Sequence, residues 1–311
     1  MTDAIGNGKR CVRQVGARSC LGSLSRVSFG KPHPITTLDK HCSSRPCPMN
    51  LRLSYLICAT PRCGSNLLCE ALQNTGLAGI PGEYFWDEAR WTRKWGTANY
   101  TDYLHEVIKR STTKNCVFGT KVMWGYFDVF VSRVRETPEY GRQNGSSHEL
   151  LARLFPGLRY IWITRRDKVR QAVSFWKSLQ TLVWFSKAGI DPPPPRKEPV
   201  YSFEAIDHFV QEVVMHEAAW QAYFDRHAIV PFTVIYEDLA SAYEATALKI
   251  LDWLGLSYPP DLVFGPRLLQ KQADDVSEIW VERYRKEKRE RGRLGAPHSP
   301  FPETTWSRMP D

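Results

Sequence analysis

Several features that would classify a chain at once are missing from these 311 residues. No stretch approaches the roughly 18 consecutive apolar residues that a membrane-spanning helix needs, so no membrane span is expected. The eight cysteines, at 11, 20, 42, 47, 58, 63, 69 and 116, include no C-x-x-C pair and no Cys/His cluster. That argues against a structural zinc site and for a reducing compartment, the cytoplasm. No segment repeats. The basic balance does not amount to a nucleic-acid face either: of the net charge of +9, residues 1–50 carry +6, from eight cations against Asp3 and Asp39. The folded part is left with little excess of either sign, and no nucleic-acid partner is expected. Also missing is a Gly-x-x-x-x-Gly-Lys-Ser/Thr loop, whose lysine and hydroxyl serve the outer phosphates and magnesium of nucleoside triphosphates.

What is present is an alternation of apolar strands with amphipathic helices, and a hydrophobic fraction of 42%, enough to fill a sizeable core. This pattern predicts one α/β domain over 51–285, a central parallel sheet flanked by helices. Residues 1–50, rich in Arg and Ser and without a sustained period, are expected to form a disordered basic N-terminal arm. A targeting segment would share that composition, and a start at Met49 would leave the first strand whole. From Lys286 the chain turns charged and then Pro/Gly-rich, which predicts a flexible tail over 286–311.

The domain is organised around Leu53–Leu72. Tyr55–Ala59 is short and apolar, a buried strand stopped by Thr60-Pro61. Ser65–Gln73 carries Leu67, Leu68 and Leu72 on one side and reads as a helix. The intervening Thr60-Pro-Arg-Cys-Gly-Ser65 must turn sharply. A strand entering a helix through such a turn aims free backbone N–H groups and the positive end of the helix dipole at one point, a cradle for phosphate or sulfate. Arg62 adds a planar fork of donors, and Ser65 and Asn66 add short polar side chains. An ordinary strand–turn–helix has the same local pattern. Cys63 lies where positive potential would depress a thiol pKa, but with no histidine near it in sequence it reads as a spacer rather than a nucleophile.

Other polar residues fall where ligands of an open parallel sheet gather. The loop Leu77–Trp86 ends in three aromatics, with Glu83 beside Tyr84 and Phe85. Apolar neighbours would raise a carboxyl pKa towards neutrality and suit it to general-base work; a lone Glu is otherwise a solvated charge. Lys121 stands near the carboxyl end of a strand over Cys116–Trp124, the end where ligands collect. A helix with Val129, Phe130 and Val134 on its apolar side follows. The strand Leu158–Thr164 delivers Arg165, Arg166 and Asp167; Asp167 is placed to cap the next helix, and Ser174, two turns on, to share one phosphate with Arg166. Ala188–Pro199, with four consecutive prolines, is a semi-rigid spacer. Ser202 caps a long helix, Ile229–Tyr236 is the fourth strand, and Gln270-Lys-Gln272 is a loop carrying Lys271.

Five segments together carry a resemblance. They are Ala59-Thr-Pro-Arg-Cys-Gly-Ser-Asn-Leu-Leu68, Gly82-Glu-Tyr-Phe85, Gly119-Thr-Lys-Val-Met-Trp124, Arg165-Arg-Asp…Gln-Ala-Val-Ser-Phe-Trp176 and Gln272-Ala-Asp…Trp-Val-Glu-Arg-Tyr284. On them the chain resembles the PAPS-dependent sulfotransferases, and within these the bacterial trehalose 2-sulfotransferase family, from Tyr55 to Arg285. The resemblance implies a P-loop-like fold, 3′-phosphoadenylyl sulfate (PAPS) as co-substrate, PAP as product, no metal, a carbohydrate or glycolipid acceptor, and a homodimer. It implies that Thr60, Arg62, Cys63, Gly64, Ser65 and Asn66 surround the 5′-phosphosulfate. Arg166, Ser174 and Lys271 would hold the 3′-phosphate, and Tyr236 would lie beside the adenine. Met123 stands where animal cytosolic sulfotransferases usually carry their catalytic histidine, so Glu83 takes the part of base, with Arg62 and Lys121 on the leaving oxygen. Tyr84, Phe85 and Trp176 would line the acceptor. Cys63 and Asn66 replace residues that often bear hydroxyls, which alters the loop's contacts. Two competing readings are a P-loop kinase using ATP and a non-catalytic carbohydrate-binding relative.

Overall fold

The computed structural model describes residues 51–141, 145–190 and 198–293. The expected basic arm, most of the proline spacer and the last part of the tail lie outside the described residues. In chain order the elements are β1 (Leu53–Ala59), α1 (Ser65–Asn74), α2 (Glu88–Trp95), α3 (Tyr100–Ser111), β2 (Val117–Met123), α4 (Trp124–Arg135), α5 (Ser147–Leu154), β3 (Leu158–Thr164), α6 (Lys168–Thr181), β4 (Ser186–Lys187), α7 (Phe203–Arg226), β5 (Phe232–Ile235), α8 (Tyr236–Ser241), α9 (Tyr243–Leu254), β6 (Leu269–Gln270) and α10 (Asp275–Arg293).

Four of the strands form one parallel sheet in the order β2-β1-β3-β5. Every residue of β1 is buried, as a central parallel strand with both faces covered demands. Its side chains alternate between two cores. Tyr55, Ile57 and Ala59 face a cluster with Leu68, Leu72, Ile250 and Leu251 from α1 and α9. Leu56 and Cys58 face the other, with Phe127, Phe130, Trp220 and Phe224 from α4 and α7. A third cluster joins α6, α7 and α10 through Ala172, Val173, Ile206, Trp280 and Val281. The carboxyl ends of β1, β2, β3 and β5 finish side by side, with Ala59 opposite Met123 and Thr164 opposite Ile235. That edge carries the loops that matter for chemistry.

Several local signals act as expected. Asp167 accepts the Arg170 N–H at 3.0 Å and Ser202 accepts that of Ala205 at 3.2 Å, while Gly255 ends α9 at φ 68°.

Other expectations are corrected. Val129 is 64% exposed, because α4 turns Tyr126, Phe127, Phe130, Val131 and Val134 inward instead. The fourth strand starts at Phe232 rather than Ile229, after Pro231, which has no N–H to give a ladder. Tyr236 opens α8 rather than closing that strand. The last helix continues past Arg285 to Arg293, tied back by Tyr284–Asp207 at 2.5 Å, Lys288–Asp207 at 2.7 Å and Arg291–Glu204 at 3.0 Å. Among the described residues, no helix is long and apolar enough to cross a membrane.

Candidate active site

The turn after β1 is held from both sides. The indole of Trp220 donates to the Ala59 carbonyl at 3.0 Å. The buried Gln171 amide donates to Thr60 Oγ1 at 2.9 Å and to the Pro61 carbonyl at 2.7 Å. Arg62 at φ 62° and Gly64 at φ 92° both adopt left-handed backbone, and the chain enters α1 at Ser65 with no side chain capping its first turn. The uncapped amides of that turn therefore converge beside the loop, as the strand–turn–helix pattern requires.

Gly64 has a second constraint, since a Cβ placed there would lie 2.2 Å from Cδ2 of Tyr236. Gly64→Ala is expected to reduce the unfolding free energy by at least about 1–2 kcal/mol, the cost of left-handed backbone alone. A fall in the urea midpoint would show it. Cys63 is fully buried, and burial pushes its thiol pKa up despite the loop's amides. It packs in the core cluster with Leu67, Leu68 and Leu72.

Arg62 is the chief cation of the loop. Its Nε donates to Ser174 Oγ at 2.9 Å, and its other nitrogens donate to the Trp184 carbonyl and the Gln272 side-chain oxygen. All three acceptors are neutral, and among the described residues no ion pair includes Arg62. Burial, and then the neighbouring Arg165, lower its pKa to about 10; it stays charged at neutral pH without a counter-charge. Such a group is a receptor for an anion.

The partners expected for the second phosphate are distributed differently. Ser174 is brought to Arg62 and not to Arg166, which instead forms an exposed bidentate pair with Asp238 at 2.8 and 2.7 Å. Lys271 is exposed, on the segment that follows β6. Tyr236 lies against Gly64, and Arg165 lies over the Tyr236 ring at 4.8 Å.

Glu83 is fixed to the sheet by its neighbours. The Gly82 carbonyl accepts the Lys121 N–H at 2.9 Å and Thr120 Oγ1 at 3.1 Å. The side chain of Lys121 then returns from inside: its Nζ lies 2.7 Å from Glu83 Oε2 and 2.6 Å from Asn66 Oδ1. Tyr126 donates to Glu83 Oε1 at 3.3 Å. Lys121 is only 2% exposed, whereas the Glu83 side chain keeps 31%. Burial opposes the Lys121 charge, but Glu83 beside it more than compensates and holds the ammonium above its usual pKa. Lys121 thus bridges the carboxylate to the first turn of α1, and the two halves of the site share one scaffold.

The aromatics expected around the acceptor divide. Phe85 is not on the surface at all; it is buried and stacked on Phe130 at 4.0 Å, because the loop must close the core over α3 and α4. Tyr84 is half-buried against Trp91 and Trp95 and donates to the Ile80 carbonyl at 3.1 Å. Trp176 donates to the Val200 carbonyl at 2.9 Å and stacks on Phe209 at 6.3 Å, a packing role. Trp86, the third aromatic of that loop, is exposed 5.6 Å from the Tyr126 ring, and Tyr126 donates to Glu83. The sequence also gave no part to Gln171 and Gln272, although both lie inside the quoted segments.

Residues 54–287 match the Stf0 sulphotransferase family. The trehalose 2-sulfotransferase of Mycobacterium tuberculosis (strain ATCC 35801 / TMC 107 / Erdman) is 31% identical over 271 residues, 78% of this chain and 97% of that protein. The trehalose 2-sulfotransferase of Mycolicibacterium smegmatis (strain ATCC 700084 / mc(2)155) is 31% identical over 266 residues, 75% of this chain and 95% of that protein. A crystal structure of a sulfotransferase from Alicyclobacillus acidocaldarius shares 12% identity and a TM-score of 0.42 over 80% of this chain and 98% of its own, a likeness too loose to bear on fold or site.

Proposed function

The chain belongs to the Stf0 sulphotransferase family, and from that premise we propose that it moves a sulfuryl group from PAPS to a hydroxyl of a carbohydrate or glycolipid acceptor, trehalose being the first to try. The observation that carries the reading is a guanidinium without a counter-charge at the anion loop, with a carboxylate tied through Lys121 and Asn66 to the same helix turn.

Sulfuryl transfer, like phosphoryl transfer, passes through a loose, in-line arrangement in which positioning and charge neutralisation do most of the work. The loop amides and Arg62 take the 5′-phosphosulfate and neutralise the oxygen that leaves as PAP. For Arg62 to do so, its guanidinium exchanges one or more of its neutral acceptors for the anion. Glu83 accepts the proton of the attacking hydroxyl. Lys121 orients it and Tyr126 steadies its second oxygen, so Lys121 acts on the carboxylate more directly than on the leaving group. Arg166 takes the 3′-phosphate by releasing Asp238, an exchange made easy by the exposure of that pair. Trp86 and Tyr84 offer faces to the acceptor. Cys58, Cys63 and Cys69 are buried without a disulfide, in keeping with a reducing compartment such as the cytoplasm.

The test is incubation with radiolabelled PAPS and a panel headed by trehalose, other glycolipid head groups and lipopolysaccharide sugars. Label is expected in one sugar class, with PAP formed in equal amount. PAP bound but no label moved to any glycan would point to the non-catalytic reading; ATP bound in preference to PAP would point to the kinase.

A further inference from the structure

Arg165 has no part in the site as described so far, yet its surroundings are those of a ligand-binding group. It leaves the carboxyl end of β3, the strand between β1, which delivers Arg62, and β5, which delivers Tyr236. Its guanidinium lies over the Tyr236 ring at 4.8 Å, and that ring rests against Gly64 of the anion loop. The Arg165 side chain is 12% exposed, and its Nε is buried without a hydrogen-bond partner. The nearest carboxylate oxygen, Glu237 Oε1, is 4.0 Å away. Glu237 is committed elsewhere, accepting the backbone N–H groups of Arg166 at 3.1 Å and Asp167 at 3.4 Å. Among the described residues the guanidinium makes no hydrogen bond, although it has five donors to place.

After burial, the Arg165 charge is the next cause that lowers the Arg62 pKa, so the two guanidiniums repel. Like charges held together at the edge of a core lower stability unless a ligand neutralises them. The one ion pair of Arg165 among the described residues, with Glu237, is long at 4.0 Å, whereas Arg166 and Arg170 meet Asp238 and Asp167 at 2.7 and 2.6 Å. We propose that Arg165 is a second cation for the 5′-phosphosulfate end of the donor, reaching it from the end of β3. The inference rests on the donor reading above and adds to it a residue that separates affinity for the 5′ end from affinity for the 3′-phosphate.

The experiment compares PAP, which carries both phosphorylated ends, with AMP, which lacks the 3′-phosphate, by calorimetry on the full-length protein and on the variants Arg165→Met, Arg165→Lys and Arg166→Ala. Arg165→Met is expected to weaken PAP and AMP by the same factor, roughly 10–150-fold, the range of a lost charge-assisted hydrogen bond. Arg165→Lys is expected to recover part of both. Arg166→Ala is expected to weaken PAP alone. In the free protein, Arg165→Met leaves the melting temperature unchanged or raises it, since a like charge is removed. Unchanged affinities, a loss confined to PAP, or a lowered melting temperature without an affinity change would each overturn the assignment. Should the wild-type protein bind PAP no more tightly than AMP, the donor reading fails, while the Arg165 arm is still decided on AMP.

Discussion

Glu83→Gln is expected to lower kcat by roughly 10²–10⁴-fold, the usual worth of a positioned general base, while PAP binds almost as before. The substitution keeps size and one acceptor oxygen, so Lys121 and Tyr126 retain partners, but it removes the carboxylate proposed to take the acceptor's proton. It also leaves the Lys121 ammonium, 2% exposed, without its counter-charge. Breaking a buried pair from one side costs roughly 3–5 kcal/mol. Here the loss is smaller, because Glu83 keeps about a third of its surface in water and the carboxamide still accepts a bond. A modest drop in melting temperature therefore accompanies the kinetic defect, and PAP titration at a temperature where both proteins are folded separates the two effects. Turnover retained in the variant would remove Glu83 from the chemistry. PAP affinity lost in step with kcat would make it a scaffold residue instead.

Arg62→Ala is expected to weaken PAP by about 1.5–3 kcal/mol, or roughly 10–150-fold, and to reduce kcat further because on the proposed function the same cation neutralises the leaving oxygen. Three acceptors lose their donor at once: Ser174 Oγ, the Trp184 carbonyl and the Gln272 side chain. Arg62→Lys restores charge but not the planar fork, so it should recover only part of the binding. Calorimetric titration with PAP reads both variants. If alanine binds PAP like the wild type, Arg62 is a structural tie between α6 and the segment after β6, and the anion loop must act through its amides alone.

The parts of this molecule that could be read from the sequence share a local signature. β1 and β3 are compact apolar runs, and Asp167, Ser202 and Gly255 are residues whose capping geometry is written into their own side chains or backbone freedom. The turn between β1 and α1 was legible for the same reason, because a strand, a sharp turn and a helix follow one another within Leu53–Leu72. What escaped is set by partners distant in sequence. The two-residue strands β4 and β6 pair Ser186 with Gln270, and nothing near either position announces the other. Arg166 meets Asp238 across 72 residues, which draws it away from the Ser174 that local spacing suggested. Phe85 is one of three successive aromatics, and composition cannot say which of them turns inward. The helix α2 went unread: its cap is Asp87, and its indoles, Trp91 and Trp95, stack on each other at 4.9 Å and only partly enter the core beside Tyr84 and Tyr103.

The inward turn of Phe85 has a bearing on how this enzyme can change. Glu83 hangs two positions before a ring clamped against Phe130, and its carboxylate is grasped from within by Lys121. Its coordinates are thus set by the interior, whereas Trp86, one step beyond the clamp, looks out to water. On the proposed function, substitutions on the outward side retune which saccharide docks without relocating the carboxylate, so variation of acceptor and a fixed proton acceptor would be served by neighbouring residues.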